Sequence, residues 1–288
     1  MSKYIFQSKT CLKSEIYNTI KEIMIAAGWQ NITSSYASDS DVMYSTGEDD
    51  TQDLALYVNI KPSRTSDEAN SIELTDYNVA SYRFPEAYTP GDVGSPGTFT
   101  RTISSEPWKY MYIAPTASTI SKSVTVTIKY HCNKNRIIFA IIYPDASGIA
   151  PMITYIGIPD EIYVNTTGSK DMLFATSSGG VSNSSVQISD DVMSMPRRAY
   201  SSARNTYVQL PPKQVNADGK VIMSEIFYGS TSEGLRGKLT GIYAISPSAT
   251  VLNSGNIITI GSDQYLVLVC GSLSYNSFQT LYLAIQIS

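Results

Sequence analysis

"SVTVTIKYHCNKNRIIFAIIYP", residues 123–144, is the stretch that decides the fold. In its first half, apolar residues alternate with Thr and Lys, which is the pattern of a strand with one buried face. "NKN", residues 133–135, is a turn signal because Asn tolerates a positive φ. The second half, "RIIFAIIY", is apolar on both faces, as is typical of a central strand. The stretch therefore predicts a β-hairpin whose second strand lies in the middle of a sheet.

Short β-rich segments separated by turn residues continue on both sides of this hairpin. "DVMYSTGEDDTQDLALYVNI", residues 41–60, predicts a second hairpin, and "MITYIGIPDEIYV", residues 152–164, predicts a further strand. At least four more strands are predicted between residue 207 and residue 288. The segment from 85 to 101 is rich in Pro and Gly and is predicted to be a long loop, either a partner contact or a surface excursion.

A single helix is predicted, over residues 12–28. Gly28 suits the left-handed residue after the end of the helix, and Ser8 or Thr10 is the expected N-cap. One amphipathic face is expected to pack on a sheet or on a neighbouring subunit. The apolar side chains of that face recur every three or four residues: Leu12, Ile16, Ile20, Ile23, Met24 and Ala27.

The domain organisation is predicted from a change of character in the middle of the chain. Residues 177–206 are Ser-rich and carry few large apolar side chains, which indicates a linker or an arm. Residues 1–176 are predicted to form a β-rich domain with the helix, and residues 207–288 a second, all-β unit. The fold class is thus mainly β (α+β), with an N-terminal amphipathic helix on a β-sandwich-like domain, followed by a small all-β unit.

Composition narrows the classes of partner. Charged residues are 16% of the 288 positions, against about 25% in typical globular proteins, and there are 21 tyrosines. Such a surface suits permanent contacts, because interface cores are depleted in charge and enriched in Tyr. The net charge is −4 and no basic stripe is present, so nucleic acid is not an expected partner. Three scattered cysteines and the absence of a long apolar run favour a soluble product of a reducing cytoplasm.

The acidic cluster of residues 41–60 raises the question of a metal or catalytic site. Its members are Asp41, Glu48, Asp49, Asp50 and Asp53. The spacing does not match a calcium loop, which needs alternating acidic positions followed by a Gly. We interpret the cluster as a solvated hairpin turn, with a weak cation site as the alternative.

Few other residues suggest chemistry. His131 is the only histidine, and its neighbour Cys132 is expected on the opposite face of a strand, so the two are not a natural catalytic pair. Asp160 with Glu161, and Asp190 with Asp191, are candidate carboxylate pairs for glycoside hydrolysis, since that chemistry needs only two carboxylates brought close by the fold. Trp108, Tyr110 and Tyr112 alternate along a predicted strand. They form either a sugar-stacking platform or a packed core or interface.

Three groups of segments resemble one family. They are "SEIYNTIKEIMIAAGWQNITSS" with residues 41–60; "WKYMYIAP" with "VTIKYHCNKNRIIFAI" and "YIGIPD"; and "SEIFYGSTSEGLRGKLTGIYAIS" with "NIITIGSDQYLVL" and "LYLAIQIS". Together they resemble virion structural proteins of tailed bacteriophages, of the kind found in the neck, collar, tail or baseplate. The resemblance covers most of the chain except the Ser-rich middle.

The resemblance implies a building block of the virion that is not an enzyme. Its expected partners are other virion structural proteins and further copies of itself in a ring, without nucleic acid or membrane. It implies no catalytic, cofactor-binding or metal-binding residue and no cofactor, and it places assembly in the bacterial cytoplasm. Two alternatives stay open: a phage host-recognition or carbohydrate-binding module, and a glycan-cleaving enzyme.

Overall fold

The computed structural model describes residues 4–33, 40–48, 56–61, 78–83, 85, 87–92, 97–100, 109–112, 123–145, 150–158, 160–161, 173–176, 206–209, 222–230, 234–245, 252–274 and 277–288. Within these residues the chain is mainly β, as predicted. One α-helix, α1, spans Ile16–Ala26 and follows a 3-10 turn at Lys13–Glu15. The strands, in chain order, are β1 (Gln7–Leu12), β2 (Gln30–Asn31), β3 (Asp41–Ser45), β4 (Leu56–Lys61), β5 (Asn78–Arg83), β6 (Ala87–Thr89), β7 (Thr98–Thr100), β8 (Lys109–Tyr112), β9 (Thr125–Cys132), β10 (Arg136–Ile142), β11 (Met152–Gly157), β12 (Asp160–Glu161), β13 (Leu173–Thr176), β14 (Thr206–Gln209), β15 (Met223–Ser230), β16 (Gly234–Ile245), β17 (Ile257–Ile260), β18 (Asp263–Ser274) and β19 (Ser277–Gln286).

The first sheet is built around the hairpin predicted from residues 123–144. β9 and β10 pair antiparallel, with Ile138 opposite His131. The strand order is β1-β9-β10-β11-β13, so β10 is the central strand, and its residues 136–141 are all buried. The prediction of a central strand is confirmed. Fully burying each of its large apolar side chains contributes about 1.5–3 kcal/mol.

The second sheet contains the other predicted hairpin. β3 and β4 pair antiparallel with Asp41 opposite Ile60 and Ser45 opposite Leu56, which confirms the hairpin of residues 41–60. The strand order is β2-β3-β4-β5-β8. β8 is the strand predicted from the alternating aromatic residues, and it lies at one edge of the described sheet.

α1 packs its apolar face into the core, as the periodicity predicts. Ile16, Ile20 and Met24 are fully buried, and Ile23 is nearly so. Gly28 follows the helix with a φ of +95°, in the left-handed region expected of it. Ile25 lies on the opposite face and is 50% exposed.

The predicted start of the helix is wrong. Ser8, Thr10 and Leu12 lie in β1, which pairs with β9 over its whole length, so neither Ser8 nor Thr10 caps the helix. The β-ladder accommodates these residues because pairing with β9 satisfies their backbone groups as well as a helix would. The turn that leads into α1 is closed by Glu15, whose Oε2 accepts a hydrogen bond of 2.9 Å from the backbone amide of Leu12.

The predicted loop of residues 85–101 contains a small sheet. β6 and β7 pair antiparallel, and the rings of Tyr88 and Phe99 face each other across the pair with centroids 4.8 Å apart. A cross-strand aromatic pair of this kind stabilises a hairpin even where the surrounding residues are turn formers. The segment is therefore not an irregular loop throughout.

The third sheet has the strand order β14-β15-β16-β19-β18-β17. β16 changes its partner along its length: Gly237 and Lys238 pair with β12, whereas residues 242–244 pair with β19. The break between the two partners falls at Thr240 and Gly241, where Gly241 has a φ of +87°. We call this break, bounded by β12 on one side and β19 on the other, the fork.

One hydrophobic cluster joins the helix and all three large sheets. It includes Ile20 of α1, Val58 of β4, Phe139 of β10, Leu239 of β16 and Leu283 of β19. A second, smaller cluster around Tyr265 and Val267 lies on the other face of the third sheet. The domain boundaries at residues 176 and 207 stay a prediction, and residues 177–205 of the predicted arm lie outside the described residues.

Candidate functional site

Asp41, the first acidic residue of the predicted cluster, belongs to a polar network on the second sheet. Its Oδ2 accepts hydrogen bonds from the hydroxyl of Tyr17 and from the Nζ of Lys21, the latter at 2.6 Å. Its Oδ1 accepts from the Nδ2 of Asn31 at 2.9 Å. Burial alone would raise the pKa of Asp41, but these donors lower it, so the carboxylate stays ionised. The network ties α1 to β2 and β3, and its oxygens are already used by protein donors.

Glu48 holds a turn rather than pointing away from the protein. Its carboxylate accepts a hydrogen bond of 3.0 Å from the backbone amide of Lys134, and its own amide donates to the side chain of Asn135 at 2.9 Å. The turn of residues 133–135 receives two further contacts, from the hydroxyl of Ser45 to the carbonyl of Lys134 and from the indole of Trp29 to the carbonyl of Asn133. Asp49, Asp50 and Asp53 lie outside the described residues, so the solvated turn stays a prediction there.

A second polar cluster lies at the fork, where the first and third sheets meet. We call it the sheet joint, and its members are Tyr4, His131, Arg136, Asp160 and Thr240. The Oδ1 of Asp160 accepts a hydrogen bond of 2.7 Å from Arg136, and its Oδ2 accepts from the hydroxyls of Tyr4, at 3.2 Å, and of Thr240. The Tyr4 hydroxyl also accepts from Arg136 at 3.3 Å. Each side chain thus comes from a different element: the N-terminal segment, β9, β10, β12 and β16.

The electrostatics of the sheet joint keep its ion pair charged. Burial alone would raise the pKa of Asp160, but hydrogen bonds from Arg136, Thr240 and Tyr4 lower it. Burial alone would lower the pKa of Arg136, but Tyr155 and Asp160 raise it. Arg136 is only 4% exposed, so Asp160 is the counter-ion that makes its burial tolerable.

This arrangement does not suit the glycosidase chemistry considered for Asp160. A general acid needs a carboxyl group with a raised pKa, and a nucleophile needs a free oxygen aimed at the substrate. Asp160 has a lowered pKa, and both of its oxygens are engaged. The side chain of Glu161 and the whole of Asp190 and Asp191 lie outside the described residues, so their part of that hypothesis is untested.

His131 and Cys132 are adjacent on β9, where side chains alternate between faces. The ring of His131 lies 4.9 Å from that of Tyr4, in an edge-on arrangement, and burial lowers its pKa. Burial also raises the pKa of the Cys132 thiol, which disfavours the thiolate that nucleophilic catalysis needs. Among the residues that the structure describes, no three His, Cys, Asp or Glu side chains are placed to share a metal ion.

Sequence reasoning missed Tyr4, Arg136 and Thr240. The only local signal was the arginine itself, a charge at the head of the apolar run "RIIFAIIY" that the fold was bound to bury beside an anion. The anion lies on another strand and the two hydroxyls come from distant parts of the chain. No spacing rule links these positions.

Exposed apolar side chains mark a different surface, the edge of the third sheet. β17 pairs with β18 on one side and is the last strand in the described order on the other. Ile257 is 46% exposed and Ile260 is 50% exposed. β8 lies at an edge of the second sheet, but Trp108 and the side chains of Tyr110 and Tyr112 are outside the described part, so the aromatic platform stays a prediction.

No protein-family model matches the chain, and a search of curated proteins finds no relative. In the ranges that the structure describes, no helix is both long enough and apolar enough to cross a membrane.

Proposed function

We propose that the chain is a structural component of a tailed-phage particle, which assembles in several copies in the neck, collar or tail through protein–protein interfaces. The single observation that carries the proposal is β17, an apolar strand that ends the third sheet in the described part of the chain and whose Ile257 and Ile260 are half exposed. Natural proteins protect sheet edges with charges, prolines or covering elements. β17 has the sequence "IITI", which contains neither a charged residue nor a proline. An uncharged edge strand suits pairing with a strand of a neighbouring subunit, which adds main-chain hydrogen bonds to apolar contacts.

Two further observations support a role in contacts. The Asp41 network and the sheet joint use their charged groups to hold elements of the fold together, so neither offers a free carboxylate. The low charge and high tyrosine content of the whole chain agree with a surface that faces other proteins. The resemblance to virion structural proteins is the reason for proposing a phage particle as the assembly that the chain joins.

The first experiment measures self-association by sedimentation velocity over a range of concentrations. We expect the unmodified chain to form oligomers and the double variant Ile257→Lys, Ile260→Lys to be monomeric. A contact that buries an isoleucine contributes at most about 1.5–3 kcal/mol, and every 1.4 kcal/mol is about tenfold in affinity. Ile25→Lys is the matched control, since Ile25 is also 50% exposed but lies on a helix. This control should still associate.

A chain that is monomeric at every concentration would contradict the proposal of self-assembly, and so would equal association of the edge variant and the wild type. The virion part of the proposal is tested by a density map of the intact particle, in which the three-sheet fold should repeat around the tail axis. A monomer that binds cell-surface glycans, with no copy in the particle wall, would instead favour the host-recognition alternative.

A further inference from the structure

Residues 4–6, which precede β1, cross the fork and contact both of the strands that bound it, β12 and β19. The backbone amide of Phe6 donates a hydrogen bond of 2.8 Å to the carbonyl of Gln286, in β19, and the hydroxyl of Tyr4 reaches Asp160, in β12. We call residues 4–6 the strap. A Cβ on Gly241 would lie 3.3 Å from the Cβ of Tyr4 and 3.6 Å from the ring of Phe6, so the bare glycine makes room for the strap.

His131 lies against the strap from the side of the first sheet. Its ring contacts those of Tyr4 and Phe6, with centroids 4.9 Å and 6.2 Å apart, and it is hydrogen-bonded to the backbone of Ile5. Its Nε2 is buried and has no hydrogen-bond partner among the described residues. A proton on Nε2 would therefore create a buried N–H donor without an acceptor, which costs about 1–3 kcal/mol, and more for a charged group.

We propose that the strap is a proton-sensitive closure of the joint between the first and third sheets, and that protonation of His131 loosens it. The inference does not rest on the proposed function, because it follows from the contacts of residues 4–6 and from the buried Nε2 of His131. Loosening of the strap would release its contacts with both strands at once, since the same three residues contact β12 and β19.

Burial and the charges around His131 together decide the direction in which its pKa moves. In the described part of the chain the groups that face it are Tyr4 from the strap, Arg136 from β10 and Glu48 from the turn after β3. Burial, the largest cause, and then Arg136 lower the pKa of His131, whereas the Ile5 backbone and Glu48 raise it, and the net direction is downward. Asp160 and Asp41 have lowered pKa values and stay ionised in mild acid, so they do not share the transition.

The linkage between proton binding and folding gives the direction in which stability changes with pH. The unfolded chain holds His131 near its ordinary pKa of about 6.5 and binds the proton more readily than the folded chain does. The contribution of neutral His131 to the free energy of unfolding is therefore fully present above about pH 6.5. It is lost as the pH falls through the lower pKa that His131 has in the folded chain. The strap should hold at neutral pH and loosen in mild acid.

The test is the protection of the Phe6 amide against hydrogen exchange, corrected for the intrinsic rate, at about pH 7.5 and about pH 5.0. We expect the protection factor of the wild type to fall by about tenfold, which is about 1.4 kcal/mol, and that of His131→Phe to stay constant, because Phe keeps the ring contacts and cannot take a proton. The amide of Val267, which donates to the carbonyl of Asn256 at 2.8 Å, is the internal control and should not change.

Equal protection of the Phe6 amide at both pH values in the wild type would overturn the proposal, as would the same fall in His131→Phe. If that variant does not fold, the wild type alone still decides, because His131 is the only histidine and gives one imidazole signal in proton NMR. That signal should titrate below the ordinary range together with the Phe6 protection; a midpoint at or above about 6.5 would contradict the proposal. Gly241→Ala is the positive control, and should lower Phe6 protection at both pH values.

Discussion

At the scale of single residues, the guanidinium of Arg136 is a charged group buried in the described core, and burying a charge is costly unless it is paired. We expect Asp160→Asn to lower the free energy of unfolding by about 2–3 kcal/mol, less than the 3–5 of a fully buried pair because the Asp160 side chain is 36% exposed. Glu225→Gln is the control, since Glu225 pairs with Lys238 with side chains 45% and 30% exposed and should cost about 0–1 kcal/mol. Urea denaturation measures both values, and equal losses would contradict a structural role for the buried pair.

The same pair gives a pH dependence. The folded pKa of Asp160 is lowered, chiefly because Arg136 opposes the effect of burial, so its contribution to stability is present above the unfolded value of about 3.9. It is lost as the pH falls through the lower folded value. The difference in stability between wild type and Asp160→Asn should therefore persist in mild acid and shrink only in strong acid.

Gly157 is a residue whose replacement has a purely steric result. It has a φ of +135°, and a Cβ there would lie 2.4 Å from the carbonyl oxygen of Asn135 and 2.5 Å from the Cα of Arg136, both of them backbone atoms that cannot turn aside. We expect Gly157→Ala to cost more than about 3 kcal/mol, or to prevent folding. Gly261→Ala is the control: its φ is +63° with nothing within 4 Å, so only the backbone strain of about 1–2 kcal/mol applies. Thermal unfolding compares the two, and similar melting temperatures would contradict the steric account.

At the scale of elements, the turn of residues 133–135 is the point where the second sheet is fastened to the first. Ser45, only 2% exposed, donates to the carbonyl of Lys134 at 2.6 Å and accepts from the amide of Gly47 at 3.1 Å. We expect Ser45→Ala to lower the free energy of unfolding by about 1–3 kcal/mol, because the buried amide of Gly47 and the part-buried carbonyl of Lys134 each lose the Ser45 hydroxyl. Ser254→Ala removes an exposed hydroxyl that accepts from Val269 and should cost less than about 1 kcal/mol. Chemical denaturation that gave the reverse order would refute this account of the turn.

Local pattern predicted the elements whose pairing partner is next in the chain. The hairpins of β3 with β4 and of β9 with β10 follow from alternation and turn residues, and α1 follows from its period. β1 was missed because its partner, β9, lies more than a hundred positions away and overrides the helical pattern at Leu12. The sheet joint was missed for the same reason, since Tyr4, Arg136, Asp160 and Thr240 become neighbours only after the sheets have packed.

At the scale of the whole molecule, the apolar cluster that runs from α1 to β19 makes the sheets depend on one another. Composition predicted that a core of this kind would form, because 42% of the residues are hydrophobic, but it did not predict which sheets share it. The apolar edge at β17 lies on a different part of the third sheet from the sheet joint. A change at that edge should therefore alter association while leaving the free energy of unfolding nearly unchanged. Denaturation of the variants used in the sedimentation experiment checks this.

The hydrogen bond between Phe6 and Gln286 has a consequence for biosynthesis. A ribosome that adds roughly 5 to 20 residues per second needs on the order of half a minute to travel from the first of these positions to the second. During that interval the nascent polypeptide carries its early residues without the strand on which they will dock. Polysomes would thus hold partly folded copies in which Phe6 has not yet met Gln286, and chaperone capture during translation should be strongest in that window.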